Sequence, residues 1–175
     1  MSQAADKRDS APGWTGATTD PTRLVLLRHG QSPMSIRREY SGSRSNPDLT
    51  EVGRQQAEAA ARHLAALVDS GNMSFSAIVA SPQRRAQQTA EAAAKALGLD
   101  IHVEEDLRET DFGQWEGMTF SEAHNATPEL HSSWLADPAV APPEGEDFRT
   151  VDSRVSAARE RIAQQFGASD VLVVS

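Results

Sequence analysis

The chain has no cysteine among its 175 residues. That absence excludes disulfide bonds, a thiolate nucleophile and a cysteine-ligated zinc site, and it fits a reducing cytoplasm, the compartment we expect. No stretch is long and apolar enough to cross a membrane, and the N-terminal residues lack the apolar core of a signal peptide. No group of residues has the spacing of metal ligands. We therefore expect neither a membrane partner nor a metal.

Basic residues are outnumbered by acidic ones, 17 against 25, so the formal net charge is −8 at pH 7. This balance argues against direct nucleic-acid binding, which needs a basic surface. The charge is uneven: residues 100–170 hold 16 acidic and 5 basic residues, whereas residues 28–44 hold four arginines and one acid. A local basic pocket in an acidic protein favours a small anionic substrate. A solvated loop would account equally well for Arg37, Arg38 and Arg44.

The chain divides into a short polar segment and one domain. Residues 1–21 are rich in small and polar residues without apolar periodicity, so we interpret them as a flexible tail or interdomain linker, in which Trp14 is the residue able to dock elsewhere. Residues 22–175 alternate strands with helices, which predicts an α/β domain with a mostly parallel central sheet. The predicted strands are 24–27, 77–80, 101–103 and 171–174.

Local signals place the helix ends. Thr50 is a candidate N-cap, Gly98 a candidate helix stop and Thr150 a second candidate N-cap. Residues 118–149 contain four prolines, and we expect them to form an irregular lid above the site.

The strongest functional signal is Arg28-His29-Gly30, which directly follows the apolar run Leu24–Leu27. Such a run suits a strand buried in a parallel sheet, and ligands in these sheets bind beyond the carboxyl ends of the strands. Arginine beside histidine at that position provides an anion clamp next to a nucleophile or base. Alone, however, the triplet also fits an ordinary strand-to-loop junction.

Three further motifs decide between these interpretations. The first motif is Leu49-Thr50-Glu51-Val52-Gly53-Arg54-Gln55-Gln56-Ala57. The second is Ser81-Pro82-Gln83-Arg84-Arg85-Ala86-Gln87-Gln88-Thr89-Ala90, and the third is Leu107-Arg108-Glu109-Thr110-Asp111-Phe112-Gly113-Gln114-Trp115-Glu116-Gly117. Together with Arg28-His29-Gly30-Gln31-Ser32 they resemble the motifs of the histidine phosphatase superfamily, the phosphoglycerate-mutase-like group. The resemblance implies a three-layer α/β/α sandwich and a metal-independent phosphomonoesterase without a cofactor.

The resemblance also implies roles for individual residues. His29 would be the nucleophile that forms a phosphohistidine, and Arg28 and Arg85 would clamp the phosphate oxygens. Arg84 is the rival of Arg85, but the spacing to Ala86 and Thr89 matches the family arginine at Arg85. Glu109 would exchange the proton with the leaving group, although an ion pair with Arg108 is the structural alternative. Donors from the loop after the nucleophile would be Gly30, Gln31, Ser32 and Ser35.

Two departures from the family pattern leave alternatives open. The mutase branch has tryptophan and asparagine where this chain has Met34 and Ser35, which favours a phosphatase over a phosphoglycerate mutase. The family's second catalytic histidine follows a strand of the form V-x-V-V-[ST], and the sequence ends at Ser175. We therefore expect the domain over residues 22–175 to be incomplete at its C-terminus, and a non-catalytic phosphate-binding module is the alternative.

A narrower resemblance concerns the segment before the first strand. Gly13–Ala17 and Pro21–Arg23 look like the junction upstream of the acid phosphatase half of bifunctional ribonuclease H/acid phosphatase proteins. That half is similar to α-ribazole-phosphate phosphatases of cobalamin biosynthesis. The resemblance implies α-ribazole 5'-phosphate as one candidate among small phosphorylated substrates, and a ribonuclease H domain in the same parent polypeptide.

Overall fold

The computed structural model describes residues 21–175. The predicted linker, except for its last residue, and Trp14 lie outside the described residues. No helix within the described part is both long and apolar enough to cross a membrane.

The core of the fold is a sheet of four parallel strands in the order β1-β4-β2-β3. Their bounds are β1 Arg23–Leu27, β2 Phe75–Ala80, β3 Ile101–Val103 and β4 Asp170–Val174. The first strand pairs with the last in register from Arg23↔Asp170 to Leu27↔Val174. The four predicted strands are thus all present, and the carboxyl ends of β1 and β4 meet at one edge of the sheet.

Within residues 21–175 six helices accompany the sheet. Their bounds are α1 Pro33–Arg37, α2 Glu51–Asp69, α3 Arg84–Leu97, α4 Phe120–Ala126, α5 Pro128–Ala136 and α6 Phe148–Phe166. Short 3-10 turns span Glu105–Leu107 and Gly113–Trp115.

Alternating side chains of the central strands bury both faces of the sheet, as period-two geometry requires. On one face, Ile78 and Leu172 join a cluster with side chains of α2 and α3. On the other face, Val79 and Val173 join a cluster with Ala158 and Ile162 of α6. The result is the predicted three-layer α/β/α sandwich.

Two of the three predicted helix ends are confirmed. The Thr50 side chain caps α2 by accepting from the Gly53 amide at 3.0 Å, and Gly98 ends α3 with a positive φ of 67°. The prediction for Thr150 is wrong. Helix α6 begins at Phe148, because Asp147 is its N-cap and accepts from the Thr150 amide at 2.8 Å.

The irregular lid predicted for residues 118–149 is also partly wrong, because α4 and α5 lie within it. Thr119 forms a capping box with Glu122 at the start of α4, and Pro128 occupies the first turn of α5, where its missing amide costs nothing. Both helices pack on a third cluster centred on Trp115 and Trp134.

Candidate active site

The candidate site lies beyond the carboxyl ends of β1, β4 and β2. The chain leaves β1 at Leu27, and the His29 amide donates to the Ser175 carbonyl at 2.9 Å, which ties the loop to the end of β4. A cavity of about 340 Å³ opens here. It is lined by Arg28, His29, Ser32, Ser35, Arg38, Glu39, Tyr40, Ser41, Glu109, Phe112 and Phe120.

Hydrogen bonds determine which nitrogen of His29 carries its proton. Nδ1 lies 2.7 Å from the Gly30 carbonyl oxygen, which only accepts, so Nδ1 bears the proton. Nε2 receives the Nε–H of Arg85 at 3.1 Å and therefore presents a lone pair. Burial lowers the pKa of His29, and the positive charges of Arg85 and Arg28 lower it further. The imidazole is thus neutral and nucleophilic at Nε2 near pH 7.

Arg85 is the buried cation of the site, with 1% of its surface exposed. Besides His29, its guanidinium donates to the Ser41 carbonyl at 3.0 Å and to the Gln83 side-chain oxygen at 3.1 Å. These acceptors are neutral, and Arg85 is absent from the ion pairs of residues 21–175. Burial lowers its pKa. A buried cation without a partner carboxylate gains most from a bound anion.

Arg84 points away from this site. Its guanidinium is exposed and pairs with Asp48 at 2.6 Å, and its amide donates to the Asn46 side chain at 2.7 Å. The helical register therefore brings Arg85, and not Arg84, to His29, as the motif spacing predicts.

Gln83 joins three parts of the site, although the sequence did not single it out. Its side-chain oxygen accepts from Arg85 and from the Glu109 amide at 2.9 Å, while its nitrogen donates to the Gly42 carbonyl at 2.7 Å. The amide oxygen links Arg85 to the Glu109 segment because it accepts two hydrogen bonds, and the amide nitrogen adds the Gly42 segment by donating.

Glu109 lines the cavity and does not pair with Arg108. Its Oε1 accepts from the Thr110 amide at 2.9 Å, whereas Arg108 contacts Asp106 at 3.3 Å. The predicted alternative of an Arg108 ion pair is therefore absent in this structure. Arg154 of α6 donates a hydrogen bond to the Glu109 carbonyl at 3.3 Å.

The predicted loop donors separate into two groups. Ser32 and Ser35 line the cavity, and their hydroxyls form the capping box of α1. The Gly30 amide instead donates to the Thr89 hydroxyl at 3.1 Å, and the Gln31 side chain accepts from the Thr50 hydroxyl at 2.9 Å. Gly30 and Gln31 thus contact α3 and α2 in this structure.

An aromatic wall of Tyr40, Phe112 and Phe120 forms another side of the cavity. Behind it the Tyr40 hydroxyl lies 3.0 Å from Nε2 of His131, a fully buried residue of α5 whose pKa burial lowers. His131 thus lies behind the wall and does not line the cavity. The residues of this wall come from separate segments of the chain, so no local sequence pattern predicts that they meet.

This fold and site define an α/β domain with a neutral histidine and two arginines at one cavity, an arrangement suited to phosphoryl transfer. The sequence profile of the histidine phosphatase superfamily (branch 1) matches residues 24–175. The chain belongs to that superfamily, and relatives with named activities are phosphatases.

Individual relatives agree with this membership. A bifunctional protein of Mycobacterium tuberculosis is 51% identical over 171 residues, which are 98% of this chain and 45% of that protein. A glucosyl-3-phosphoglycerate phosphatase of Mycolicibacterium vanbaalenii is 37% identical, covering 82% of this chain and 61% of that one. The chain thus spans less than half the length of its 51% identical relative.

Solved structures give the same result. The α-ribazole phosphatase from Shigella flexneri superposes with a TM-score of 0.74 at 30% identity, covering 87% of this chain and 73% of that one. A mycobacterial glucosyl-3-phosphoglycerate phosphatase in complex with VO3 superposes with a TM-score of 0.76 at 32% identity, covering 87% and 75%.

Proposed function

We propose that the chain is a metal-independent phosphomonoesterase that acts through a phosphohistidine at His29. One observation carries this proposal: the lone pair of His29 Nε2 faces the Nε–H of the buried, carboxylate-free Arg85 at 3.1 Å. A phosphate oxygen can replace Nε2 as the acceptor of that N–H. The nucleophilic nitrogen is then released next to a phosphorus atom that Arg85 holds.

The reaction would run in two balanced steps. In the first, Nε2 bonds to phosphorus, the ester P–O bond breaks, and the leaving alkoxide takes a proton from Glu109. In the second, the ionised Glu109 accepts a proton from water, the hydroxide oxygen bonds to phosphorus, and the P–N bond breaks to free His29. Arg28 and Arg85 would offset the charge of the transferring group in both steps.

The names of the relatives supply candidate substrates. α-Ribazole 5'-phosphate and glucosyl-3-phosphoglycerate are both small phosphorylated metabolites, and we propose a substrate of this kind. Hydrolysis of α-ribazole 5'-phosphate would assign the enzyme to cobalamin biosynthesis. We propose that it acts in the cytoplasm. A steady-state screen containing both compounds, with released phosphate as the readout, ranks them by kcat/KM.

We also propose that the domain shares its polypeptide with a second unit, a ribonuclease H domain. The support is the bifunctional relative, of which this chain covers 45%. The intact mass of the protein purified from its source tests this, because a mass near the chain's 18.9 kDa would contradict it.

Hydrolysis of p-nitrophenyl phosphate in the presence of EDTA tests the proposed activity. We expect turnover that survives the chelator, disappears in His29→Ala and persists in His63→Ala, since His63 is an exposed residue of α2. Phosphate binding without turnover in the full-length protein would favour the non-catalytic module. Transfer of phosphate between the hydroxyls of phosphoglycerate would favour the mutase.

A further inference from the structure

Arg38 has an unusual backbone conformation for its residue type. It is the C-cap of α1 and adopts φ 57° and ψ 38°, the left-handed region. Glycine is the usual residue at such helix ends, because a Cβ makes this conformation unfavourable. An arginine held there suggests that its side chain has a function that outweighs the local cost.

The side chain of Arg38 is a cavity cation without a carboxylate partner. It lines the cavity, is exposed, and is absent from the ion pairs found within residues 21–175. The nearby acid is already occupied: both oxygens of Glu39 accept from Arg37, at 2.5 and 2.9 Å. Arg37 thus offsets Glu39, and the charge of Arg38 stays available to a ligand.

The charges of the cavity exceed what one phosphoryl group requires. In the proposed mechanism Arg28 and Arg85 neutralise the transferring phosphate, which leaves Arg38 unused. The cavity of about 340 Å³ also exceeds the volume of a phosphate, so part of the alcohol lies inside it.

We propose that Arg38 binds a carboxylate on the alcohol portion of the substrate, so that the preferred substrates are phosphomonoesters of hydroxy acids. This inference deepens the proposed function and rests on it. A carboxylate is the group that a single guanidinium both neutralises and binds through two parallel hydrogen bonds. A neutral nucleoside or polyol phosphate would leave Arg38 without a partner.

Two ligands that differ only in this group make the test. 3-Phosphoglycerate carries a carboxylate where glycerol 3-phosphate carries a hydroxymethyl group. Because the proposed enzyme would hydrolyse both ligands, their dissociation constants would be measured by titration calorimetry in the His29→Ala background, at low ionic strength, where an exposed cation attracts an anion most strongly. We expect the protein with Arg38 intact to bind 3-phosphoglycerate at least tenfold more tightly than glycerol 3-phosphate.

Arg38→Gly is the informative variant, because glycine suits the left-handed conformation. We expect its thermal midpoint to equal or exceed that of the wild type while the tenfold preference falls to about one. Arg62→Ala, which removes an exposed arginine of α2 that lies outside this cavity, should keep the preference. Arg38→Lys should give an intermediate ratio, because it keeps the charge and loses the fork of donors.

A ratio near one with Arg38 intact, or a tenfold ratio that survives Arg38→Gly, would overturn the inference. The same Arg38 variants with His29 intact, assayed with p-nitrophenyl phosphate, separate this from failure of the proposed function. If turnover is absent but the ratio depends on Arg38, then the carboxylate site stands and the catalytic proposal falls.

Discussion

Two buried arginines in this molecule have opposite surroundings. Arg154 of α6 is 8% exposed and forms a two-pronged ion pair with Glu146, at 2.6 and 3.2 Å. Arg85 of α3 is 1% exposed and is surrounded by neutral acceptors. The first positive charge has a carboxylate in direct contact, whereas the second has none among residues 21–175.

The remaining contacts of Arg154 explain the difference. Its Nη1 donates to the carbonyls of Asp106 and Arg108, both at 2.7 Å, and its Nη2 donates to the Glu109 carbonyl at 3.3 Å. Arg154 therefore fixes the backbone that carries Glu109, whereas Arg85 contacts Nε2 of His29. In this molecule the buried arginine that pairs with a carboxylate holds backbone in place, and the one without a carboxylate has its donors at the candidate site.

The largest expected effect is on stability. Arg154→Ala leaves the partly buried Glu146 carboxylate with only Arg108, 4.0 Å away, so we expect the free energy of unfolding to fall by about 3 kcal/mol, the low end for a broken buried ion pair. Urea denaturation followed by circular dichroism measures this. An unchanged midpoint would show that the ion pair does not hold the Glu109 segment.

Arg85→Ala should affect activity instead. Removing this donor to the transferring group should lower kcat by roughly 10²–10³, by analogy with lost oxyanion donors. Inorganic phosphate should raise the thermal midpoint of the wild type and not that of the variant, because ligand binding stabilises only the state that binds. The matched control is Arg84→Ala, which loses an exposed ion pair and should be nearly silent. Equal impairment of the two variants would contradict the assigned register.

Glu109→Gln should slow turnover in a way that depends on the leaving group. We expect roughly 10²-fold slower hydrolysis of an alkyl phosphate, because an alkoxide needs a proton in the transition state, and a much smaller effect on p-nitrophenyl phosphate. Steady-state kcat for the two substrates makes the comparison. Equal slowing would instead point to a role in orienting water.

Tyr40→Phe removes the hydrogen-bond partner of His131. Tyr40 contacts Nε2 of this buried ring, and Nδ1 has no hydrogen-bond partner among residues 21–175. The variant would therefore leave both nitrogens unpaired. We expect a loss of about 1–3 kcal/mol in the free energy of unfolding, measured by urea denaturation. His131→Phe in the Tyr40→Phe background should recover part of it.

The smallest effect is on the titration of His29. Its pKa is lowered by burial and by two arginines, so the imidazole should stay neutral as pH falls through 6.5 and gain its proton only below that value. Between the folded pKa and 6.5 the unfolded chain binds more protons, so His29 costs stability as pH falls in that window. In Arg85→Met the pKa should move toward 6.5. Imidazole NMR of both proteins measures this, and an unchanged pKa would contradict the electrostatic role of Arg85.

Sequence patterns predicted the parts of this molecule that depend on local spacing. The apolar runs predicted the positions of the four strands, and the motif spacing favoured Arg85 over Arg84; the structure agrees with both. By contrast, the prolines between residues 118 and 149 suggested irregularity, because a proline at the first turn of a helix is hard to distinguish from a helix breaker.

The residues that sequence patterns did not predict make contacts with partners far away in the chain. Gln83 links Arg85 to Gly42 and Glu109, and nothing in its neighbourhood indicates those partners. Arg154 is one of several charged residues on α6. Its burial and its contact with Glu146 are visible only in the structure. Arg38 was indistinguishable from its neighbour Arg37 until the backbone angles and ion pairs were known.

The central claim is that His29 accepts the phosphoryl group at Nε2. Rapid quenching of the protein with a labelled phosphomonoester, followed by ³¹P NMR of the denatured product, tests it directly. We predict an acid-labile, base-stable phosphohistidine on Nε2 that approaches one per chain and is absent from His29→Ala. Label that survives His29→Ala, or phosphate bonded to Nδ1, the nitrogen that faces the Gly30 carbonyl, would contradict the account.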